Sequence, residues 1–215
     1  MSENMKPHFF SLLVLSFSFM LCTFQTKEQH EKSIFEKNTF GETSSLYDSL
    51  FVKNPKFVSD GFDFPVGKPD AKGYYNAQPF MKNTHLGDDW NGRGGGNTDL
   101  GDPAFSIANG YVSEVEDVGG GWGNVVRIVH KTKDAKWKYV ESLYAHFDKV
   151  AVKKGSFVTR GEKIGTIGNN GGMYWAHLHL ELRHTPDLPL GGGYSSDTTG
   201  YLDPTYFIRN HRPKH

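Results

Sequence analysis

The stretch "WAHLHLELRH", residues 175–184, alternates apolar and polar side chains as a β-strand with one buried face does. Its period of two puts three leucines on one face and two histidines on the other. The leucine face predicts a core contact for residues 178, 180 and 182. The opposite face carries His177, His179, Glu181 and Arg183. Glu181 and Arg183 are interpreted either as solvated strand residues or as partners that support the histidines from behind.

From Gly61 onward, glycine and proline separate short runs of valine, isoleucine, tyrosine and phenylalanine. No long stretch has the 3.6-residue period of a helix, so the pattern predicts an all-β fold. The clearest predicted strands are "AFSIANGYVSEVEDV" (two short strands meeting near Asn109 and Gly110), "WGNVVRIVHK", "KYVESLYAHF", "EKIGTIG" and "AHLHLELRH".

Composition bounds the class of protein. A chain of 215 residues with 37% hydrophobic content can bury one good core, so one main domain is expected. Lys plus Arg total 24 and Asp plus Glu total 24, so no net field favours nucleic acid. Four glycine-rich patches lack the Lys-Ser/Thr or the G-x-G-x-x-G context of a nucleotide-binding loop, and they predict loops on a β scaffold.

The N-terminal segment predicts export. "FFSLLVLSFSFMLC", residues 9–22, is apolar but too short for a comfortable membrane span, so residues 1–22 are interpreted as a signal peptide. Cys22, the only cysteine, closes this block. It is either the lipidated residue of a lipoprotein or a residue lost on cleavage. Residues 23–60 are then a polar linker or surface segment, with a short helix in "TSSLYDSLF", and residues 61–215 are the main domain.

A second histidine motif, "HLGDDW", spaces His85 and Asp89 four apart around Gly87, without a helical pattern. On a strand running into a turn, both side chains could converge on one ion. With one histidine of the H-x-H pair they supply two imidazoles and one carboxylate. This set suits zinc and leaves a fourth position open for catalysis.

A third element, "LYAHF", puts His146 on a predicted strand with Tyr144 on the same face. A solitary histidine in a β core is more often a hydrogen-bonded packing residue than a catalyst. His130 and His184 are interpreted as structural.

These motifs together resemble the lysostaphin-type zinc endopeptidases, whose signature is H-x-x-x-D followed by a distant H-x-H. The similarity extends over roughly residues 78–183 and includes "HLGDDW", "DLGDPAFSIANGYVSEV", "GGGWGNVVRIVH", "YAHF", "VKKGSFVTRGEKIGTIGNNG" and "HLHLELR". It implies a small antiparallel β-sheet or hybrid-barrel-like domain with long glycine-rich loops and the metal in a groove between them. "WNGRGGGNTDLGDP" is interpreted as a groove-wall loop. Trp90, Trp122 and Trp175 could line the groove or pack the loops.

The resemblance also implies roles. His85, Asp89 and His179 would be the zinc ligands, and His146 and His177 the catalytic histidines. The expected protein is a secreted or envelope-anchored metalloendopeptidase, a monomer, in which metal-bound water attacks peptide cross-links of peptidoglycan. The membrane would be contacted only through a lipid anchor at Cys22.

Two other functions stay open. One is a non-hydrolytic envelope protein of the same fold that binds peptidoglycan or activates an amidase. The sequence of such a protein would lack some of the metal-binding residues, whereas all five candidate residues are present in this chain. The other is a carrier with a related hybrid barrel, which predicts a cytoplasmic protein and conflicts with the signal segment.

Overall fold

The computed structural model describes residues 46–213, and within this range the strands form one antiparallel sheet. The strands are β1 Tyr74–Gln78, β2 Asp88–Gly92, β3 Pro103–Phe105, β4 Gly110–Asp117, β5 Asn124–Lys131, β6 Tyr139–Val150, β7 Phe157–Val158, β8 Lys163–Ile167, β9 Leu178–Arg183 and β10 Tyr201–Leu202. They run in the order β1-β2-β9-β6-β5-β4-β7, while β10 pairs with β9, and β8 pairs with both β6 and β3.

Strand β9 lies at the centre of this arrangement, between β2 and β6. Its leucines, Leu178, Leu180 and Leu182, are fully buried in the main hydrophobic cluster. Removing such a buried side chain costs about 2–5 kcal/mol in comparable cores. The alternation seen in the sequence therefore fixes which face of β9 packs inward and which face carries the histidines.

Helical structure is sparse in the described residues. Residues 46–53 are helical, and short 3₁₀ turns cover Pro55–Phe57, Lys82–Thr84 and Asn170–Gly172. The C-terminal helix, Pro204–Asn210, begins after Asp203, whose side chain accepts a hydrogen bond from the Tyr206 N–H at 2.8 Å. No helix within residues 46–213 has the length and apolar character of a membrane span.

The predicted all-β fold class is confirmed, and each of the named sequence runs contains its expected strand. Strands β1, β7 and β10 and the C-terminal helix were not predicted. All ten strands belong to one compact unit, Leu50–His215. The predicted signal peptide, Cys22 and most of the predicted linker lie outside the described residues, and the domain boundaries at 22 and 60 stay predictions.

Candidate metal centre

Two segments that are distant in sequence, residues 85–89 and β9, bring His85, Asp89 and His179 together. His85 follows the 3₁₀ turn Lys82–Thr84 in extended conformation, Asp89 lies in β2, and His179 lies in β9. Strands β2 and β9 are antiparallel neighbours, and Asp89 is directly opposite His179 in the ladder. Directly opposed residues project from the same face of a sheet, so their side chains meet.

Three atoms of this triad converge. His179 Nδ1 lies 2.9 Å from Asp89 Oδ1 and 3.1 Å from His85 Nε2, and the remaining pair, His85 Nε2 and Asp89 Oδ1, is 3.4 Å apart. Ligand atoms bonded to a tetrahedral zinc ion at about 2.0–2.2 Å are roughly 3.3–3.5 Å from one another. The three measured distances are within a few tenths of an ångström of that spacing, so the three donor atoms fit zinc.

Backbone carbonyls fix the proton on three of the site's imidazoles. His85 Nδ1 donates to the Gln78 carbonyl at 3.1 Å, because a carbonyl can only accept. His146 Nδ1 donates in the same way to the Trp122 carbonyl at 3.1 Å, and His177 Nδ1 to the Trp175 carbonyl at 2.8 Å. In all three rings Nε2 is left with its lone pair, which can bind a metal or accept a proton.

His146 and His177 lie beside the triad, with ring centroids 4.7 Å apart. His177 Nε2 is 3.8 Å from Asp89 Oδ1, and the ring centroids of His146 and His179 are 5.7 Å apart. The structure thus brings all five predicted residues into one site. Their roles as ligands and catalysts stay a prediction.

The expectation that Tyr144 and His146 share a face is wrong. Tyr144 is fully buried in the core, where its ring stacks on Phe147 with centroids 6.3 Å apart. His146 has a φ of +63°, in the left-handed region, and the β6 ladder with β8 shifts register just after it. This irregularity breaks the alternation of the strand and turns the His146 side chain towards the site instead of the core.

The electrostatics of the triad favour a positive charge. Burial disfavours protonation of His179, but the neighbouring carboxylates of Asp89 and Glu181 raise its pKa to about 9. Burial also opposes ionisation of Asp89, yet His179 and the neighbouring imidazoles lower the pKa of that carboxyl below its usual value. Burial lowers the pKa of His146 to about 3, with His179 and His177 adding to the effect. The triad can therefore hold a cation while His146 stays neutral at neutral pH.

A groove of about 960 Å³ contains the five residues. Its other lining residues are Ala77, Gln78, Asn91, Asn97, Gly121, Trp122, Gly172, Met173, Tyr174, Trp175, Gly192, Gly193 and Tyr194. Trp175 is 70% exposed at the groove, whereas Trp90 is buried against Phe64. Asn97 comes from the predicted groove-wall loop, and that prediction is confirmed.

Sequence reasoning missed several neighbours of the site. Tyr194 forms an isolated bridge with His85, their rings 5.1 Å apart, and no motif indicated it. Of the two interpretations of Glu181 and Arg183, the solvated one is wrong, because both residues are fully buried. Their position on the same strand face as His179 was the sequence signal that could have indicated a place beside the site. The loop 184–194 covers that face beyond His179, which no local pattern reveals.

Comparisons with known proteins find one matching family model and several similar proteins. The sequence model of a family described as "Peptidase family M23" matches residues 92–191. This segment includes His146, His177 and His179, whereas His85 and Asp89 precede it. The peptidoglycan DD-endopeptidase ShyB of Vibrio cholerae is 34% identical over 108 residues, 46% of this chain and 24% of that protein. The lipoprotein NlpD of Yersinia enterocolitica is 36% identical over 84 residues, 39% of this chain and 79% of that protein.

Among solved structures, a zinc-containing peptidase from Vibrio cholerae is 29% identical with a TM-score of 0.45, covering 57% of this chain and 36% of that one. The chain therefore spans about a quarter of the length of ShyB and about a third of that peptidase.

Proposed function

The chain belongs to peptidase family M23, and from that premise we propose that it is a zinc-dependent endopeptidase that hydrolyses peptide cross-links of bacterial peptidoglycan. The observation that carries the proposal is the convergence of His85 Nε2, Asp89 Oδ1 and His179 Nδ1, with two further imidazoles in the same groove. A purely structural cluster would not need two additional histidines that keep Nε2 unprotonated.

Two imidazoles and one carboxylate would hold the metal. When bound, zinc supplies a Lewis acid that polarises the scissile carbonyl and makes water a competent nucleophile near neutral pH. His146 and His177 hold their protons on Nδ1 for backbone carbonyls, so each can accept a proton at Nε2 and return it to the leaving amine. The low pKa of His146 keeps its lone pair available through the neutral range.

The proposed substrate and cellular location of this protein are inferred from its relatives. ShyB is a peptidoglycan DD-endopeptidase and NlpD is a lipoprotein, which supports peptidoglycan peptide stems as substrate and the cell envelope as location. The proposed protein works as a monomer at the periplasm or cell surface, either secreted or tethered through a lipid on Cys22.

Digestion of purified peptidoglycan tests the proposal. The purified protein is incubated with peptidoglycan of several cross-link types, with and without a chelator, and the released fragments are identified by mass spectrometry. Chelator-sensitive release of products cut within the cross-link is the expected result, and the fragment masses identify the bond.

His179→Ala and His184→Ala form a matched pair for this assay. Both histidines belong to the motif at residues 175–184, but His184 stacks on Trp137, with centroids 4.6 Å apart, and does not line the groove. His179→Ala is expected to lose zinc and cleavage, and His184→Ala to keep both. Full zinc occupancy without cleavage of any wall type would contradict the proposed hydrolase and favour a binding or amidase-activating role.

A further inference from the structure

Two buried polar atoms face each other directly behind the metal triad. His179 Nε2 and Glu181 Oε1 are 3.4 Å apart, and neither has a hydrogen-bond partner in the described residues. Their separation is slightly longer than an ordinary N–H···O hydrogen bond. Buried polar groups are almost always satisfied, so this facing pair indicates a contact that belongs to the working site.

We infer that Glu181, held in place by Arg183, is a positioning residue that orients His179 for metal binding. The inference rests on the proposed function in taking the triad as a zinc site. If Nδ1 of His179 is the ligand atom, the proton of the neutral ring sits on Nε2, and Glu181 Oε1 is the acceptor in front of it. A carboxylate behind a metal-binding imidazole fixes both the tautomer and the ring orientation.

The other carboxylate oxygen is already occupied. Arg183 donates to Glu181 Oε2 from Nε at 3.0 Å and from Nη2 at 2.6 Å. Both residues are fully buried, so no solvent competes for these bonds. With Oε2 held by two hydrogen bonds the carboxylate cannot rotate freely, and Oε1 stays directed at His179.

The Arg183 guanidinium is itself fixed by the loop that follows β9. It donates to the carbonyls of Leu188 at 3.1 Å and Leu190 at 3.2 Å. The same loop continues into Gly192, Gly193 and Tyr194, which line the groove. The Arg183 guanidinium thus holds the loop that lines one wall of the groove and, through Glu181, also holds the orientation of His179.

A second buried glutamate offers a matched control. Glu141 is as buried as Glu181, accepts a hydrogen bond from Arg127 at 2.7 Å, and lies 3.7 Å from Arg183. The contacts of Glu141 do not include His179. A purely structural contribution of the buried charges predicts similar effects at both glutamates, whereas positioning predicts an effect on the metal only at Glu181.

The experiment compares Glu181→Gln with Glu141→Gln. Zinc affinity of the purified metal-free proteins is measured by competition with a chromophoric chelator, and stability by urea unfolding. Glu181→Gln is expected to bind zinc about 10–100-fold more weakly, and Glu141→Gln within about threefold of wild type. Equal losses of zinc affinity in both variants, or wild-type affinity in Glu181→Gln, would overturn the inference.

Nitrogen chemical shifts of the zinc-loaded wild-type protein give a second readout that needs no variant to fold. His179 is expected to carry its proton on Nε2, and a proton on Nδ1 would refute the positioning role. Neither readout involves peptidoglycan, so the protein can fail to cleave the wall while Glu181 still orients His179. A wild-type chain that binds no zinc would instead remove the basis of both proposals.

Discussion

Replacing Gly87 by alanine should damage the metal triad without touching any of its side chains. Gly87 lies between His85 and Asp89, and its backbone does not adopt the left-handed conformation that favours glycine. A Cβ built there would lie 2.5 Å from the Leu180 carbonyl oxygen and 2.9 Å from His179 Cε1. The methyl group would therefore press on the backbone and on the ring of β9 at the same place.

The size of the effect follows from these distances. Ordinary van der Waals contact begins at 3.4 Å, so the backbone of β2 or β9 must move by about 0.9 Å. Metal sites tolerate departures of roughly 0.2 Å from their preferred bond lengths, so this shift is several times larger than the triad can absorb. We expect zinc affinity to fall at least about tenfold, and unfolding free energy to fall by about 1–3 kcal/mol as in other overpacked cores.

Gly192→Ala is the matched control, because Gly192 also avoids the left-handed region and a Cβ there has no neighbour within 4 Å. Zinc affinity by chelator competition and unfolding free energy in urea are measured for both variants. Gly192→Ala should match wild type in both quantities. Wild-type zinc affinity in Gly87→Ala would refute the argument that close contact between β2 and β9 sets the geometry of the triad.

Three further outcomes follow from the structure. His146→Ala should keep one zinc ion per chain but lower turnover about 100-fold or more, and unchanged turnover would remove His146 from the chemistry. Burial lowers the pKa of His130 to about 4, below its value in the unfolded chain, so its contribution to stability is complete above about pH 6.5 and is lost as pH falls towards 4. As pH falls from 6.5 to 4, the unfolding free energy of wild type in urea should fall by about 3 kcal/mol more than that of His130→Gln. Parallel curves of unfolding free energy against pH would contradict this assignment. Leu180→Ala should lower the unfolding free energy by about 2–5 kcal/mol while exposed Leu100→Ala changes it by less than about 0.5 kcal/mol, and equal losses would contradict the central position of β9.

The sequence predicted the inner face of β9 and the outline of the site because both depend on local alternation. Burial of Leu178, Leu180 and Leu182 follows from the period of two, and the same period puts His177 and His179 on the opposite face. The convergence of the three triad residues needed strand pairing as well. The motifs suggested that these residues converge on one ion, and the structure supplies the pairing of β2 with β9 and its register.

Two features could not be predicted, because long-range structure overrides the local pattern. The left-handed backbone at His146 removes it from the face of Tyr144, and no residue type near it signals the irregularity. Glu181 and Arg183 look like ordinary exposed strand residues, yet the carbonyls of Leu188 and Leu190 cover Arg183 and make the pair part of the interior. Each error arose where a loop or bulge changes what a strand residue faces.

The direct opposition of Asp89 and His179 also has a consequence for how the protein matures. These residues are 90 positions apart, and their side chains meet only when β2 has docked on β9. Closing so long a loop carries an entropic cost that must be met before the contact forms, so the triad is complete only after these two distant strands have paired. Binding of a metal by the triad would therefore report that β2 and β9 have paired.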